Sequence, residues 1–194
     1  MVRTDELIID TFWELLDEKS YSKITVRDIV ERCHINRNTF YYHFEGIPSL
    51  LMETMTEWGD KVIAENGTPD KSLDLILTFA QGFESRKRAL RHIYQSVERD
   101  NFETQLIRMA DKLVTEYFDR VTKVIDIPED RLLYFIRLYK ACFVGLILDW
   151  FECGQKYDLV DSCRQIWKEF HLIDPVEYMM MKKNEKAVTG DGSL

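Results

Sequence analysis

Apolar residues recur at three- and four-residue steps through almost the whole chain, and very little interrupts them. Only 8 Gly and 4 Pro occur in 194 residues, so the helical period can run for long stretches without a breaker. No segment alternates as a strand would, and no repeat appears. The spacing predicts an all-α protein. The longest unbroken apolar run, ACFVGLIL, is far shorter than the roughly 20 residues a membrane helix needs. The N-terminus, MVRTDELIID, is charged at once and lacks the apolar core of a signal peptide. Cys33, Cys142, Cys153 and Cys163 show no CxxC spacing and read as reduced thiols. A cytoplasmic protein without a membrane partner is expected. The net charge of -8 argues against an indiscriminate nucleic-acid coat.

Ile8, Phe12, Leu15 and Leu16 mark a first helix, with Thr4 as its expected N-cap and Asp5 and Glu6 favoured by the helix dipole in its first turn. ITVRDIVERC follows, where Thr25 and Asp28 form a capping box with Asp in place of Glu. Val26, Ile29, Val30 and Cys33 give that second helix one apolar stripe. A tight turn from Cys33 to Asn36, plugged by Ile35, leads to a third helix. Asn36 caps it, and it runs to about Phe44 with Phe40 and Phe44 turned inward. Two short helices joined by a four-residue turn and braced by a longer one make a helix-turn-helix. The outward residues of its second helix are Arg37, Asn38, Tyr41, Tyr42 and His43, placed to enter the major groove. By period alone, Tyr41 and Tyr42 could instead pack on neighbouring helices. Cys33 and His34 have no second pair at metal-ligand spacing.

The run YSKITVRDIVERCHINRNTFYYHFEGIPSLL, and above all TFYYHF at Thr39 to Phe44, resembles the DNA-binding domain of the TetR family of transcriptional regulators. The resemblance covers about the first fifty residues and implies a DNA-binding regulator, usually a repressor, acting on a palindromic operator as a homodimer. It implies base and phosphate contacts from Arg37, Asn38, Thr39, Tyr41, Tyr42 and His43, with Asn36 at the helix start. Thr25, Val26 and Arg27 would lie against the backbone. Arg27 and Arg37 suit two-pronged contacts to guanine. Thr25, Tyr41 and Tyr42 can donate to phosphate without carrying charge. Two departures stand out. Ile47 and Pro48 occupy the stretch where many relatives have a phosphate-gripping Lys, and Val26 replaces a frequent hydroxyl donor. Tyr21 to Leu50 carries four Lys or Arg against three Asp or Glu, so the electrostatic contribution is expected to be weak.

The expected organisation is a DNA-binding domain at 1–47 and an effector-binding and dimerisation domain at 48–181, with a polar, disordered tail at 182–194. Residues 48–65 form a connecting helix with Pro48 in its first turn, closed by the Asn66–Pro69 break. Further helices are expected at about Asp70–Phe83 and Ser85–Val97, then along the stripe Phe102, Leu106, Met109, Leu113, Tyr117, Val121 and Val124. Another begins after Ile127-Pro128-Glu129. From Tyr139 to Phe151 it is apolar nearly all round and must be covered on more than one side. Gly154 ends it, and Asp158 caps a last helix striped by Leu159, Cys163, Ile166, Trp167 and Phe170. These two helices suit a four-helix bundle between two subunits, with Leu132, Tyr139, Phe143, Leu146, Trp150, Cys163 and Trp167 at the interface; the competing reading is that both helices lie wholly inside one subunit.

An effector pocket is expected among Phe79, Phe83, Tyr94, Phe102, Met109, Tyr117 and Phe143, with Arg91, His92 and Gln95 as polar anchors. Its ligand would be a small apolar or aromatic molecule. The competing reading is that these aromatics fill a core. A regulator acting through protein contacts, or an activator without a small-molecule effector, is the alternative function. No phosphate loop, nucleophile elbow or metal motif points to an enzyme, and no cofactor is expected.

Overall fold

Helix ends are fixed largely by short polar side chains and by left-handed residues at His34, Gly154 and Gln155. In the second helix, α2 (Val26–Cys33), the Asp28 amide donates to Thr25 Oγ1 at 3.2 Å, and the Thr25 amide donates to Asp28 Oδ2 at 2.8 Å. This is the reciprocal capping box the sequence predicts. The helix closes at His34 (φ 54°), after which the Ile35 amide returns to the Val30 carbonyl at 3.0 Å. Asn36 Oδ1 then accepts the Thr39 amide at 2.8 Å and starts α3 (Arg37–His43). The first helix, α1 (Thr4–Glu18), corrects one expectation. Its N-cap is Arg3, whose amide donates to the Glu6 carboxylate at 3.3 Å, and Thr4 is already helical.

The computed structural model describes residues 3–65 and 72–170, and the regular structure among them is helical throughout. After a 3-10 turn at Tyr21–Lys23 and the pair α2–α3 come α4 (Ile47–Glu65), α5 (Ser72–Ser85), α6 (Lys87–Tyr94), α7 (Arg99–Val121), α8 (Glu129–Glu152) and α9 (Leu159–Phe170). Two of these are shorter than the apolar stripes suggest. Helix α6 stops before Val97 because Ser96 Oγ captures the Ile93 carbonyl at 2.7 Å. Helix α7 tightens after Val121, where Lys123 and Val124 amides bond three residues back, and Val124 ends 86% exposed. Gly154 (φ 68°) is the C′ residue of α8, with the Gln155 amide on the Trp150 carbonyl at 2.7 Å. Asp158 caps α9 through the Asp161 amide at 2.7 Å. The Asn66–Pro69 break, the 182–194 tail and the 48–181 domain's far end lie outside the described residues.

One apolar core runs from Ile8 in α1 to Cys163 in α9. Helix α1 packs on α2 and α6, α4 on α7, α7 on α8, and α5 on α9. Phe12, Phe40, Phe79, Phe83, Phe102, Phe118 and Trp150 are fully enclosed, each stabilising the fold by about 1.5–3 kcal/mol relative to exposure. The helix-turn-helix module, α1 to α3, therefore shares its core with the larger domain instead of hanging from a linker. Among the described residues no helix is long and apolar enough to cross a membrane.

Asp28 makes the helix-turn-helix acid-sensitive. Its hydrogen bond from Lys19 (2.9 Å) and those from Thr25 hold its carboxyl down at about 2. A depressed carboxylate pKa contributes stability that is present above the unfolded value, near 4, and lost as pH falls through about 2. Asp28→Asn should flatten that part of the acid-denaturation profile while shifting stability at pH 7 by less than about 1 kcal/mol, because the pair is partly solvated. Chemical denaturation at stepped pH from 7 to 2 measures both.

Candidate nucleic-acid interface

Helix α3 turns Phe40 inward, fully buried, and Phe44, four residues on at its C-cap, follows it into the core. The two rings meet at 5.8 Å. That anchoring rotates the rest of α3 into solvent. Arg37, Asn38 and His43 are exposed, Tyr41 is 54% exposed and Tyr42 is 85% exposed. A phenol that far out of the protein is not serving as core. The Tyr42 ring leans edge-on against His43 at 5.1 Å, and Tyr41 against Phe40 at 5.5 Å. These contacts limit the rotamers of both tyrosines while leaving their hydroxyls outside.

The other expected contact residues divide by what already occupies them. Asn36 Oδ1 holds the Thr39 amide and, at 3.1 Å, the Thr39 hydroxyl. The Thr25 hydroxyl is committed to Asp28 at 2.6 Å. Val26 is half-buried against the core. Arg27 Nε pairs with Glu31 Oε1 at 2.6 Å along α2. Arg37, by contrast, forms no ion pair among the described residues. So two arginines that look alike in the sequence differ in availability. The capping role of Asn36 and Thr25 was readable from their spacing; the Arg27–Glu31 pair was readable as an i, i+4 match. Cys33 donates its thiol inward to Thr11 Oγ1 at 3.1 Å while His34 faces solvent, so the two do not converge.

The larger domain holds a narrow apolar cavity of about 50 Å³ between α5, α7, α8 and α9. Of the residues expected to line a pocket, Tyr117 and Phe143 do so. Phe79, Phe83, Tyr94, Phe102 and Met109 are buried in the core outside that lining: Phe79 and Phe83 pack on Phe143, Tyr94 on Phe102, and Met109 beside Gly59 of α4. Ile76, Ala80, Leu113, Cys142, Ile147 and Ile166 complete much of the wall, and sequence spacing did not single them out as such. Small side chains at Ala80, Cys142 and Cys163 leave the space. Burial pushes the Cys142 thiol up and raises Cys163 to about 11, so both are neutral and the wall carries no charge. Arg91 and His92 point elsewhere: Arg91 Nε donates to Gln155 Oε1 at 2.6 Å, and His92 Nδ1 to the Leu16 carbonyl at 2.7 Å.

Of the residues expected at a subunit interface, Phe143, Trp150 and Cys163 are buried within this chain, while Leu132, Tyr139, Leu146 and Trp167 are half-buried. Tyr139, Phe143, Leu146, Cys163 and Trp167 line the same cavity. Trp150 is fully buried and donates from Nε1 to the Tyr157 carbonyl at 3.0 Å, so it belongs to this chain's own core. The uncovered side of α8 presents Leu133, Tyr134 and Leu138, which are 47%, 66% and 50% exposed, followed by Ala141 and Gly145.

Two family models cover most of the described chain. Residues 8–54 match the bacterial regulatory proteins of the tetR family, and residues 70–167 match the transcriptional regulator C-terminal region of the same group. An uncharacterized HTH-type transcriptional regulator, YuxN of Bacillus subtilis (strain 168), is 31% identical over 61 residues. That alignment spans 31% of this chain and 21% of the relative. Among solved structures, the dihydroxyacetone kinase operon activator DhaS superposes with a TM-score of 0.72 at 20% identity, over 87% of this chain and 94% of that one. A tetR-family transcriptional regulator from Streptomyces coelicolor superposes with a TM-score of 0.61 at 14% identity, over 86% and 78%. At these identities the superpositions speak to the fold. The matched family and these neighbours are regulators of transcription, not enzymes. With a helix-turn-helix at its head and a helical domain behind it, the chain belongs to the TetR family of transcriptional regulators.

Proposed function

We propose that this DNA-binding regulator reads a palindromic operator as a homodimer, from the cytoplasm, and represses by occupying it. One observation carries the reading: Arg37, Asn38, Tyr41, Tyr42 and His43 stand together on the solvent face of α3, with their polar groups unclaimed by the caps around them. Arg37 is the base reader. Its guanidinium is free to make a bidentate contact to guanine, whereas Glu31 competes for Arg27. Tyr41 and Tyr42 donate to phosphate. With Ile47 and Pro48 where a Lys would grip the backbone, few counterions are released, so the salt dependence is shallow.

Dimerisation uses the uncovered side of α8. Leu133, Tyr134 and Leu138 form an apolar ridge on one helix, and Gly145 further along has no atom within 4 Å of where a Cβ would stand. A two-fold partner laid against that ridge would bury it and set two α3 helices one DNA turn apart, about 34–36 Å. The apolar cavity is the effector site. It is smaller than the roughly 300 Å³ or more of a filled pocket, so a ligand must spread the helices around it. Its wall selects a neutral apolar or aromatic molecule, and that spreading is the differential interaction by which binding could shift the reading heads.

These readings predict three outcomes. Selection from random duplexes at low salt should enrich a palindrome, and Arg37→Ala should lose about 1–3 kcal/mol of discrimination at one base position per half-site. Arg27→Ala should lose less. A chain that enriches no duplex would favour a regulator working through protein contacts. Gly145→Trp should remain folded, since its own chain leaves the position open, yet sediment as a monomer at micromolar concentration. A wild-type monomer under the same conditions defeats the dimer. Neutral aromatic compounds that raise the melting temperature should also change operator affinity; compounds that stabilise without touching affinity would separate the cavity from regulation.

A further inference from the structure

Trp58 lies on the connecting helix α4 with only 5% of its surface exposed, and it meets aromatic rings on two sides. Trp13 of α1 packs edge-on against it, centroids 6.1 Å apart at 77°. Phe83 of α5 does the same from the larger domain, at 5.0 Å and 72°. Phe83 in turn meets Phe143 of α8 at 6.5 Å, and Phe143 is part of the cavity wall. Ring contacts therefore run unbroken from the cavity to the first helix of the reading head. The packing has little slack: a Cβ on Gly82 would stand 3.0 Å from Trp58 Cζ2. Close-packed rings pass a displacement to their neighbours instead of absorbing it.

Arg86, between α5 and α6, closes the joint. Its guanidinium carbon lies 5.1 Å from the Trp13 ring centroid and 5.4 Å from that of Trp58. Among the described residues it forms no ion pair. Burial draws its pKa below the ordinary value, against the pull of Asp17 and Asp10 on α1. A planar cation shared by two indoles, one on α1 and one on α4, favours one relative placement of those helices against α5.

We propose that Arg86, held between Trp13 and Trp58, is the positioning residue that sets the reading head on the larger domain and couples it to the apolar cavity. The proposal rests on the cavity being the effector site. Filling the cavity displaces Phe143, then Phe83, then Trp58, and Arg86 makes α1 and α4 respond together. Lysine cannot replace it, because a compact ammonium does not stack on two rings at once.

The test uses the full-length protein and the duplex recovered by selection. Cys142→Phe projects a ring into the cavity in place of a ligand; Ala80→Val fills the same space more gently if the first variant fails to fold. Each is combined with Arg86→Met and with Arg86→Lys, and operator affinity is read by fluorescence anisotropy. Filling the cavity in the wild-type background should change affinity by about tenfold. In either Arg86 background the same filling should change it less than about twofold, while the proteins still melt cooperatively. An equal effect in all backgrounds overturns the role of Arg86 and leaves the effector site standing. If filling has no effect anywhere, the effector site fails, and hydrogen exchange decides the joint: faster exchange in α1 and α4 of Arg86→Met supports it, and unchanged exchange overturns it.

Discussion

The connecting helix is gripped along its length, and that grip is what the rest of the architecture depends on. Trp58 is wedged between Trp13 and Phe83. At the very next residue, Gly59 lets Met109 of α7 approach so closely that a Cβ would sit 3.0 Å from its Cγ. Lys112 Nζ reaches Asp60 Oδ1 at 2.6 Å on the exposed edge of the same contact. Helix α4 is thus seated on α5 and α7 by apolar packing with a screened ion pair at the rim, and the packing supplies most of the stability. Since α1 is fixed to α6 as well, through His92 and the Leu16 carbonyl, the reading head has two attachments. A change in its angle requires both to yield.

Much of the reading head was legible in the sequence because its information is local. Thr25 with Asp28 and Asn36 with Thr39 are caps whose partners lie three residues away, and Phe40 and Phe44 show their inward face by spacing alone. The larger domain was legible only as a set of helices. Phe79, Phe83, Tyr94, Phe102 and Met109 have the composition of a pocket wall and the helical spacing of a core, and which of the two they form depends on how α5, α6 and α7 are rotated. Nothing in a single stripe encodes that rotation. The same ambiguity applies to α8: Tyr139, Phe143 and Leu146 were expected at a subunit interface, Phe143 in the pocket as well, and all three line the cavity. The opposite face, with Leu133, Tyr134 and Leu138, is the one left bare.

The cavity owes its neutrality to where the polar groups went. Arg99 is drawn to Glu103 and Glu152, whose oxygens it meets at 2.8 and 2.5 Å. Tyr94 adds its hydroxyl to Glu152 at 2.6 Å. Arg91 and Gln155 satisfy each other, and Gln155 Nε2 donates onward to the Lys87 carbonyl at 3.1 Å. This network ties α6, the start of α7 and the end of α8 together, leaving the space between α5, α7, α8 and α9 to apolar side chains and two protonated thiols. A charged guest there would lose its hydration without a counter-charge to replace it, which is costly in a low-dielectric site.

An acidic chain can still carry a DNA reader if positive charge is left free only where it is wanted. Across α1 and α2 the cations are largely engaged: Arg3 with Asp5, Lys19 with Asp28, Arg27 with Glu31, Arg32 with Glu18. Helix α3 has no acidic residue between Arg37 and His43. Its face offers one free guanidinium flanked by amide, phenol and imidazole groups, whose chemistry suits hydrogen bonds to bases and phosphates but not long-range attraction of DNA. Non-specific affinity scales with the phosphates neutralised, whereas base discrimination depends on directed donors. Removing surplus cations lowers the first term while leaving the second in place, so a weakly charged reading head gives up affinity for bulk DNA sooner than it gives up selectivity among sites.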